Sequence, residues 1–324
     1  MPPQTDDLDA YRLYLEGRHH WNQRTEDGLA RSVQLFQQAV TADPEFAKAY
    51  AAMAAAYVTL GTYGALAPGA AMSQTRAAAG RALDIAPDLA DAYAARGAVR
   101  AMHDWVWQDA EEDFTHAISL APQEPSIHQS YAVNCLVPRR RFDEARRQLD
   151  HAVALDPLSL VVRTSQGLTF YYAGDYARAI TELRRTLELE QNFGLARYFL
   201  GLAYAAAEQL DHACDEADRA VALLGNSSEV VAAQGYARAL AGDRERALEV
   251  VGELTRRTQE RYVSPLLIGQ IQAALGDGPA ALDCVERAHV ERAPDVAWAG
   301  LRPAFASLRA EPRFVAILDS VGVS

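Results

Sequence analysis

The sequence predicts an all-α protein in which about eight helical hairpins stack into an α-α superhelix with a C-terminal cap. Three observations support this fold class: a proline motif that recurs at the ends of helical runs, four glycines at a constant interval, and the lack of any sustained strand-like alternation. A fixed period of about 20–50 residues is typical of stacked two-element units, because one such unit is too small to bury its own apolar face.

The proline motif occurs four times in the first half of the chain. The stretches TADPEF, DIAPDL, SLAPQE and ALDPLS place prolines at positions 44, 87, 122 and 157, which are 43, 35 and 35 residues apart. An alanine stands five residues before each of them: Ala39, Ala82, Ala117 and Ala152. Since proline cannot continue a helix interior, we predict that each motif separates one helical hairpin from the next. The stretch GTYGALAPG (61–69) lengthens one turn and accounts for the first, longer interval.

The second half of the chain keeps the same phase with glycines. The positions Gly167, Gly201, Gly235 and Gly269 are each 34 residues apart, and small residues at fixed places allow helices to approach closely. The turn inside a hairpin is predicted at three Gly-Asp pairs, namely Gly174-Asp175, Gly242-Asp243 and Gly276-Asp277. Glycine there can adopt the left-handed conformation that ends one helix, and aspartate can cap the next.

Composition and charge exclude several classes of protein. The chain has 324 residues, half of them hydrophobic, and a net charge of −12, so a nucleic-acid-binding surface is not expected. No segment reaches the roughly 18 consecutive apolar residues that span a bilayer, and the N-terminus lacks the order of a secretory signal. Cys135, Cys214 and Cys284 have no CxxC spacing and are interpreted as small buried residues in a reducing compartment. We therefore expect a cytoplasmic protein.

The repeated unit resembles the tetratricopeptide repeat (TPR). Matching positions in two units are Gly201, Tyr204, Ala213 and Ala220, and Gly97, Ala110, Phe114, Ala117 and Pro122. The resemblance implies a solenoid of eight units starting near residues 8, 45, 88, 124, 158, 193, 228 and 262. We expect a disordered tail at residues 1–7, the array at 8–293 and a capping segment at 294–324.

Both ends of the array resemble a bacterial group of such proteins more closely. The stretches that carry this resemblance are AYRLYLEGRHHWNQRTEDGL, RYVSPLLIGQIQAALGD and LRPAFASLRAEPRF. In that group the array commonly follows a winged-helix DNA-binding domain, a nucleotide cyclase or a serine/threonine kinase, and this chain contains none of these modules. The resemblance implies either a stand-alone member or the regulatory portion of a longer signalling protein.

Motifs for catalysis are missing from the sequence. It contains no P-loop, dinucleotide fingerprint, HExxH, EF-hand or GxSxG pattern. The pair His19-His20 is adjacent on a predicted helix, so its side chains point about 100° apart and cannot chelate a metal from one face. We predict a protein that is not an enzyme, without catalytic residues, cofactor or metal. An enzyme or small-molecule binder with its pocket in the groove is a third, less favoured alternative.

Binding is predicted on the concave surface, which the first helix of each unit lines in arrays of this kind. The candidate residues for a protein or peptide partner are Tyr14, Arg18, Trp21, Asn22, Thr164, Ser165, Tyr171, Tyr172, Tyr198, Phe199 and Tyr236. Aromatic side chains with a polar tip suit a recognition groove. The inward positions otherwise carry mostly alanine and serine, so capture of a peptide carboxylate by inward-facing cations is not expected. The favoured function is a protein-interaction scaffold or sensory module; the regulatory part of a transcription regulator, kinase or cyclase is the alternative.

Overall fold

Helices make up nearly all of the structure, a computed structural model that describes residues 5–324. They pair in chain order into eight hairpins, which we number 1 to 8. Their bounds are α1 Leu8–Gln23, α2 Glu26–Ala42, α3 Ala47–Thr62, α4 Pro68–Ile85, α5 Ala90–Val99, α6 Trp107–Leu120, α7 Pro125–Tyr131, α8 Phe142–Leu155, α9 Leu160–Tyr172, α10 Tyr176–Leu189, α11 Gly194–Ala206, α12 Leu210–Leu224, α13 Ser228–Leu240, α14 Arg244–Arg257, α15 Pro265–Ala274 and α16 Gly278–Val290. The hairpins begin close to the predicted unit starts, and the described residues form no strand.

Three shorter kinds of element complete the chain. A π-helical segment, Arg100–Asp104, continues α5, and a second one, Ala132–Leu136, continues α7. After hairpin 8 follow two 3₁₀ helices, Pro294–Leu301 and Pro303–Leu308, which we call the C-terminal segment, and then α17, Pro312–Val321. No helix of residues 5–324 combines the length and the apolar character that crossing a bilayer requires.

The proline motifs lie between hairpins, as predicted. The alanine five residues before each proline is fully buried, and its carbonyl accepts the N–H of the residue before the proline at 2.9 Å in all four copies. That residue is the C-cap of the second helix, and the following proline ends the helical run. The long turn of hairpin 2 is also present, since α3 ends at Thr62 and α4 begins at Pro68.

The Gly-Asp turns inside hairpins 5, 7 and 8 are confirmed. Gly174, Gly242 and Gly276 have φ of +82°, +84° and +83°, the left-handed region that only glycine adopts without strain. The aspartate after each glycine accepts a backbone N–H from the first turn of the next helix. Glycine therefore closes the first helix of the hairpin and aspartate opens the second.

The glycine register marks close helix crossings, although not equally at each position. A Cβ at Gly167 would lie 2.5 Å from Leu183 Cγ, and one at Gly235 would lie 2.7 Å from Val250 Cγ1. At Gly201 the nearest atom would be the Ala217 backbone nitrogen at 3.4 Å, an ordinary contact. At Gly269 a Cβ would lie 2.9 Å from Cys284 Cβ, so packing disfavours a side chain at three of the four crossings, and only Gly201 is replaceable by alanine.

The end of the superhelix returns to its beginning. Arg261, just before α15, forms an ion pair with Glu26 of hairpin 1 at 2.7 Å. His103 and Arg292 exchange hydrogen bonds with each other's backbone carbonyl at 3.1 and 3.2 Å. Trp107 donates its indole N–H to the carbonyl of Val321 at 2.6 Å. The cap therefore covers hairpin 8 and also packs against hairpins 2 and 3.

The expected disordered tail is shorter than predicted. Residues 1–4 lie outside the described residues, but Thr5 is buried and donates its hydroxyl to Asp43. Asp7 accepts the backbone N–H groups of Asp9 and Ala10 and so caps α1. The prediction of disorder was wrong for residues 5–7, because Thr5 is hydrogen-bonded to the first proline motif and Asp7 caps the start of α1.

Candidate functional site on the inner surface

The superhelix encloses a cavity of about 220 Å³ on its inner side. In hairpins 2–5 much of its wall is one helical face, which includes the residues 4, 7, 8 and 11 positions after the proline of each motif (the seam proline). These residues are Lys48, Ala51, Ala52 and Ala55; Asp91, Ala94, Ala95 and Ala98; Ser126, Gln129, Ser130 and Val133; Val161, Thr164, Ser165 and Leu168. This spacing is that of one helix face, so the repeat itself specifies which side chains point inward.

Eight of the predicted binding residues line this cavity: Tyr14, Arg18, Trp21, Thr164, Ser165, Tyr172, Tyr198 and Phe199. The hydroxyls of Thr164 and Ser165 bond back to their own helix, and Ser165 also accepts from Gln129 at 3.0 Å. The rings of Tyr198 and Phe199 meet edge to face at 4.8 Å. The structure therefore brings the two predicted groups, one in hairpin 1 and one in hairpins 5 and 6, to a common cavity.

Three predicted residues do not reach the cavity. Tyr171 is only 4 % exposed and Tyr236 only 5 %, and both belong to the apolar core between hairpins 5 and 8. Tyr171 is adjacent to Tyr172 on α9, and neighbouring side chains on a helix point about 100° apart, so one faces the core when the other faces inward. Asn22 is exposed and is absent from the cavity wall. The expected exposure of Tyr171 and Tyr236 on the concave surface was therefore wrong, whereas the expectation for Asn22 stays a prediction.

The C-terminal segment enters the inner surface and completes the cavity wall. Asp295, Trp298 and Arg302 line the cavity, and Trp298 belongs to an apolar cluster that otherwise consists of hairpins 2–5 and the same segment. Arg302 forms an ion pair with Asp295 at 3.2 Å, and Asp295 also accepts the hydroxyl of Ser264. The cap expected at the end of the array thus occupies part of the concave surface as well.

The tyrosines beside this segment are strongly desolvated. Burial raises the pKa of Tyr172 to about 12, and it raises the pKa of Tyr198 well above its usual value. Arg302 opposes both shifts because its positive charge faces the two phenol groups. At neutral pH both tyrosines are protonated, so they offer O–H donors to the inner surface.

Charged residues on the inner surface were missed in the sequence. Lys48, Asp91 and Glu124 line its outer part, and Arg24 and Glu229 lie deeper beside Tyr63. The inner surface therefore carries more charged side chains than the alanine and serine expected at most inward positions. The signal for Lys48 and Asp91 was present, since each stands four residues after a seam proline, whereas Arg24 lies in the turn after α1, outside that register.

Burial also changes the acidity of the inward carboxyl groups. Desolvation raises the pKa of Asp91, and the negative charge of Glu124 raises it further. Desolvation raises the pKa of Glu229 to about 8, with Asp295 and Glu26 adding to the shift and Arg302 opposing it. The cavity wall contains neither histidine nor cysteine. Among residues 5–324, no three His, Cys, Asp or Glu side chains converge as a metal site.

The fold and the sequence pattern together define the class of protein. Paired helices repeat with a period of about 34 residues, small residues lie at their crossings, and the first helices face inward. The chain is therefore an α-α superhelix built from repeated helical hairpins.

Comparison with known proteins gives only distant similarities. No protein-family model matches the chain. The transcriptional regulator HilA of Salmonella typhimurium is 25% identical over 191 residues, which are 58% of this chain and 34% of HilA. Human tetratricopeptide repeat protein 13 is 30% identical over 124 residues, 36% of this chain and 14% of that protein. The chain thus spans about a third of the length of HilA and less of the human protein.

The solved structures that resemble the chain include PilF and PilW. Pseudomonas aeruginosa PilF superposes with a TM-score of 0.46 at 21% identity, covering 68% of this chain and 96% of PilF. PilW, a type IV pilus biogenesis factor, superposes with a TM-score of 0.48 at 19% identity, covering 64% of this chain and 94% of PilW. The assignment of the fold rests on the chain's own hairpins rather than on these superpositions.

Proposed function

We propose that the chain is a non-catalytic binding module that takes up a protein segment on its inner surface. The observation that carries this proposal is the position of the C-terminal segment, which contacts α3 and the π-helical segment Arg100–Asp104 from inside the superhelix. A peptide-like stretch of the chain therefore occupies the surface on which a partner would bind. A partner segment of similar chemistry would compete with it.

The chemistry of such a segment follows from its two anchors. Trp298 is only 4 % exposed and packs in the cluster of hairpins 2–5, and four residues later Arg302 faces Tyr172 and Tyr198. Buried aromatic and arginine side chains dominate the energy of most protein interfaces. The partner segment is therefore expected to carry a large aromatic residue followed, one helical turn later, by arginine.

The regulatory alternative is not favoured by a specific observation. The similarity to HilA covers 34% of that regulator at 25% identity, and an array of repeats shares such similarity with many helical-repeat proteins. A reducing compartment such as the cytoplasm suits the three cysteines, which are free thiols in the structure.

The test uses a synthetic peptide of residues 293–309 as the probe. The double variant Trp298→Ala/Arg302→Ala weakens the hold of the chain's own segment, so it should bind the labelled peptide at least about tenfold more tightly than the unchanged protein does. Fluorescence anisotropy measures this affinity, and circular dichroism checks that the variant is helical. The single variant Arg302→Ala serves as a milder second case.

The matched control is the same peptide with alanine in place of its tryptophan and arginine. This control peptide should bind neither protein. Equal binding of both peptides, or no binding of the native peptide to either variant, would contradict the proposal that the inner surface recognises these anchors.

A further inference from the structure

Arg24 is a buried cation without a counter-ion. Its side chain belongs to the turn after α1, and the residue is only 7 % exposed. No carboxylate of residues 5–324 lies within ion-pair distance of its guanidinium, and its Nε has no hydrogen-bond acceptor. Nearby Glu26 is instead paired with Arg261. An uncompensated buried charge is costly, so this arrangement requires an explanation beyond folding.

The contacts that Arg24 does make hold it in one orientation. The guanidinium carbon lies 3.9 Å from the centroid of the Trp21 ring, and Nη1 donates to the hydroxyl of Thr59 at 3.2 Å. The same hydroxyl accepts the indole N–H of Trp21 at 3.1 Å. Arg24 itself has a left-handed backbone with φ of 57°, which is strained for a residue with a side chain. The group is preorganised, while part of its donor capacity is unused.

Arg24 lines the cavity together with apolar and aromatic side chains. Near it the wall carries Trp21, Tyr63 and Tyr198, and towards hairpins 2 and 3 it continues with the alanines at 51, 52, 55, 94, 95 and 98. Such a wall accommodates the apolar body of a small molecule, and Arg24 supplies the polar group that fixes its orientation. A cavity of about 220 Å³, partly bounded by the C-terminal segment, is suited to a small molecule rather than to a folded partner.

The charge of the surroundings limits the anion that fits. Asp295 and Glu26 are each paired with an arginine, Arg302 and Arg261, so Arg24 supplies one uncompensated positive charge here and matches a singly charged anion. Glu229 shares the wall with Arg24, and because burial raises its pKa to about 8, it is mostly the uncharged acid at pH 7 and does not repel a single negative charge. A planar carboxylate matches the geometry of a guanidinium.

We propose that the cavity binds a small organic monocarboxylate, with its carboxylate on Arg24 and its apolar or aromatic body against the alanine and aromatic wall. Trp298 and Arg302 line the same cavity, but Arg302 is paired with Asp295, so the carboxylate is assigned to Arg24. This ligand site adds a small-molecule ligand to the proposed protein-binding function and does not depend on it.

The experiment is isothermal titration calorimetry on the full chain with defined probes. The probes are hexanoate, benzoate, phenylacetate and indole-3-acetate, each compared with its neutral primary amide. At least one carboxylate should saturate a single site, and its amide should bind about tenfold more weakly or not at all, because a charge-assisted hydrogen bond is lost. Arg24→Met should abolish this binding and Arg24→Lys should weaken it. The surface variant Arg31→Met should leave it unchanged.

Thermal unfolding without ligand separates a binding role from a structural one. Replacing an unpaired buried charge by an apolar side chain of similar length is neutral or stabilising, so Arg24→Met should melt at the same or a higher temperature. The proposal is overturned if no carboxylate saturates at millimolar concentration, if Arg24→Met binds as tightly as the unchanged chain, or if the amides bind equally well.

Discussion

The turn inside a hairpin is built in two ways along the chain. Hairpins 5, 7 and 8 use glycine at the left-handed position, whereas hairpins 1, 3 and 4 use Arg24, Trp105 and Arg140, with φ of 57°, 58° and 57°. Each of these three side chains makes a long-range or cavity contact. Arg24 lines the cavity, Trp105 stacks on His289 at 5.1 Å, and Arg140 reaches the carbonyl of Gly300 at 3.5 Å.

Left-handed turn residues with a side chain mark the places where this superhelix deviates from a plain repeat. A left-handed residue with a side chain costs about 1 kcal/mol relative to glycine, and such strain concentrates at functional positions. The π-helical segments end α5 and α7, next to Trp105 and Arg140. π-Helical turns are frequent at functional sites. Hairpins 1, 3 and 4 thus depart from the glycine turn where their side chains contact the cavity or the end of the chain, and hairpins 5, 7 and 8 keep it.

The largest effect is expected when the C-terminal segment loses its aromatic anchor. Trp298→Ala should lower the free energy of unfolding by about 3–5 kcal/mol, because it leaves a cavity in the cluster of hairpins 2–5. Urea unfolding followed by circular dichroism measures this change. Trp298→Phe is the matched control and should cost much less, since the indole N–H of Trp298 makes no hydrogen bond. Equal, small losses in both variants would show that the segment does not pack inside the superhelix.

The helix crossings inside hairpins 5 and 6 provide a second test. Gly167→Ala should destabilise the fold by about 1–3 kcal/mol, because the added Cβ would overlap Leu183. Gly201→Ala, at the equivalent position of hairpin 6, meets only ordinary contacts and should be neutral or slightly stabilising, since alanine favours helix over glycine. Chemical denaturation of both variants gives the comparison. The same loss at both positions would contradict the described crossings.

The acidity of Glu229 predicts how stability changes with pH. Its pKa is raised from 4.5 to about 8 on folding. Below about pH 4.5 both states hold the proton; between pH 4.5 and 8 only the folded state keeps it, so the free energy of unfolding falls as pH rises, by at most about 1.4 kcal/mol per unit. Glu229→Gln cannot ionise, so the difference between variant and unchanged chain should grow in the variant's favour up to about pH 8. Parallel pH profiles would show that Glu229 is not desolvated.

The smallest effect is expected from substitutions at the left-handed position of the turn inside a hairpin. Hairpin 6 uses Glu208 at the left-handed position, with φ of 58°, and its exposed side chain appears in no ion pair of the described residues. Glu208→Gly should therefore stabilise the fold by up to about 1 kcal/mol. Arg140→Gly gains the same backbone relief but loses the contact to Gly300, so it should be less stabilising or destabilising. Identical gains in thermal unfolding would remove the argument that Arg140 serves as a docking residue.

Much of the fold could be predicted from the sequence because it is local and periodic. The seam prolines, the Gly-Asp turns and the glycine at 167 each determine a nearby backbone conformation or crossing, and each repeats at a readable interval. Part of the cavity wall follows the same register, which is why Thr164 and Ser165 lie on it. Tyr171 and Tyr236 were misplaced because an aromatic residue near an inward position can equally turn towards the core.

The rest of the site depends on contacts between distant parts of the chain. Arg24 lies outside the repeat register, and Arg302 and Trp298 belong to a segment without repeat character. Their positions are set by the return of the C-terminus onto hairpins 2–5, across more than 200 residues in the case of Trp107 and Val321. No periodic signal in the sequence marks such a contact. In the sequence alone, a charged side chain on an alanine-rich helix is therefore interpreted as facing solvent.

Photo-cross-linking from position 298 measures whether the superhelix holds its own C-terminal segment on its inner surface. Trp298 would be replaced by a photoreactive benzoylphenylalanine in the full chain, irradiated at dilute concentration, and the products mapped by mass spectrometry. We expect intramolecular cross-links to α3 and to the other inner helices of hairpins 2–5. Cross-links confined to hairpin 8 would contradict this expectation.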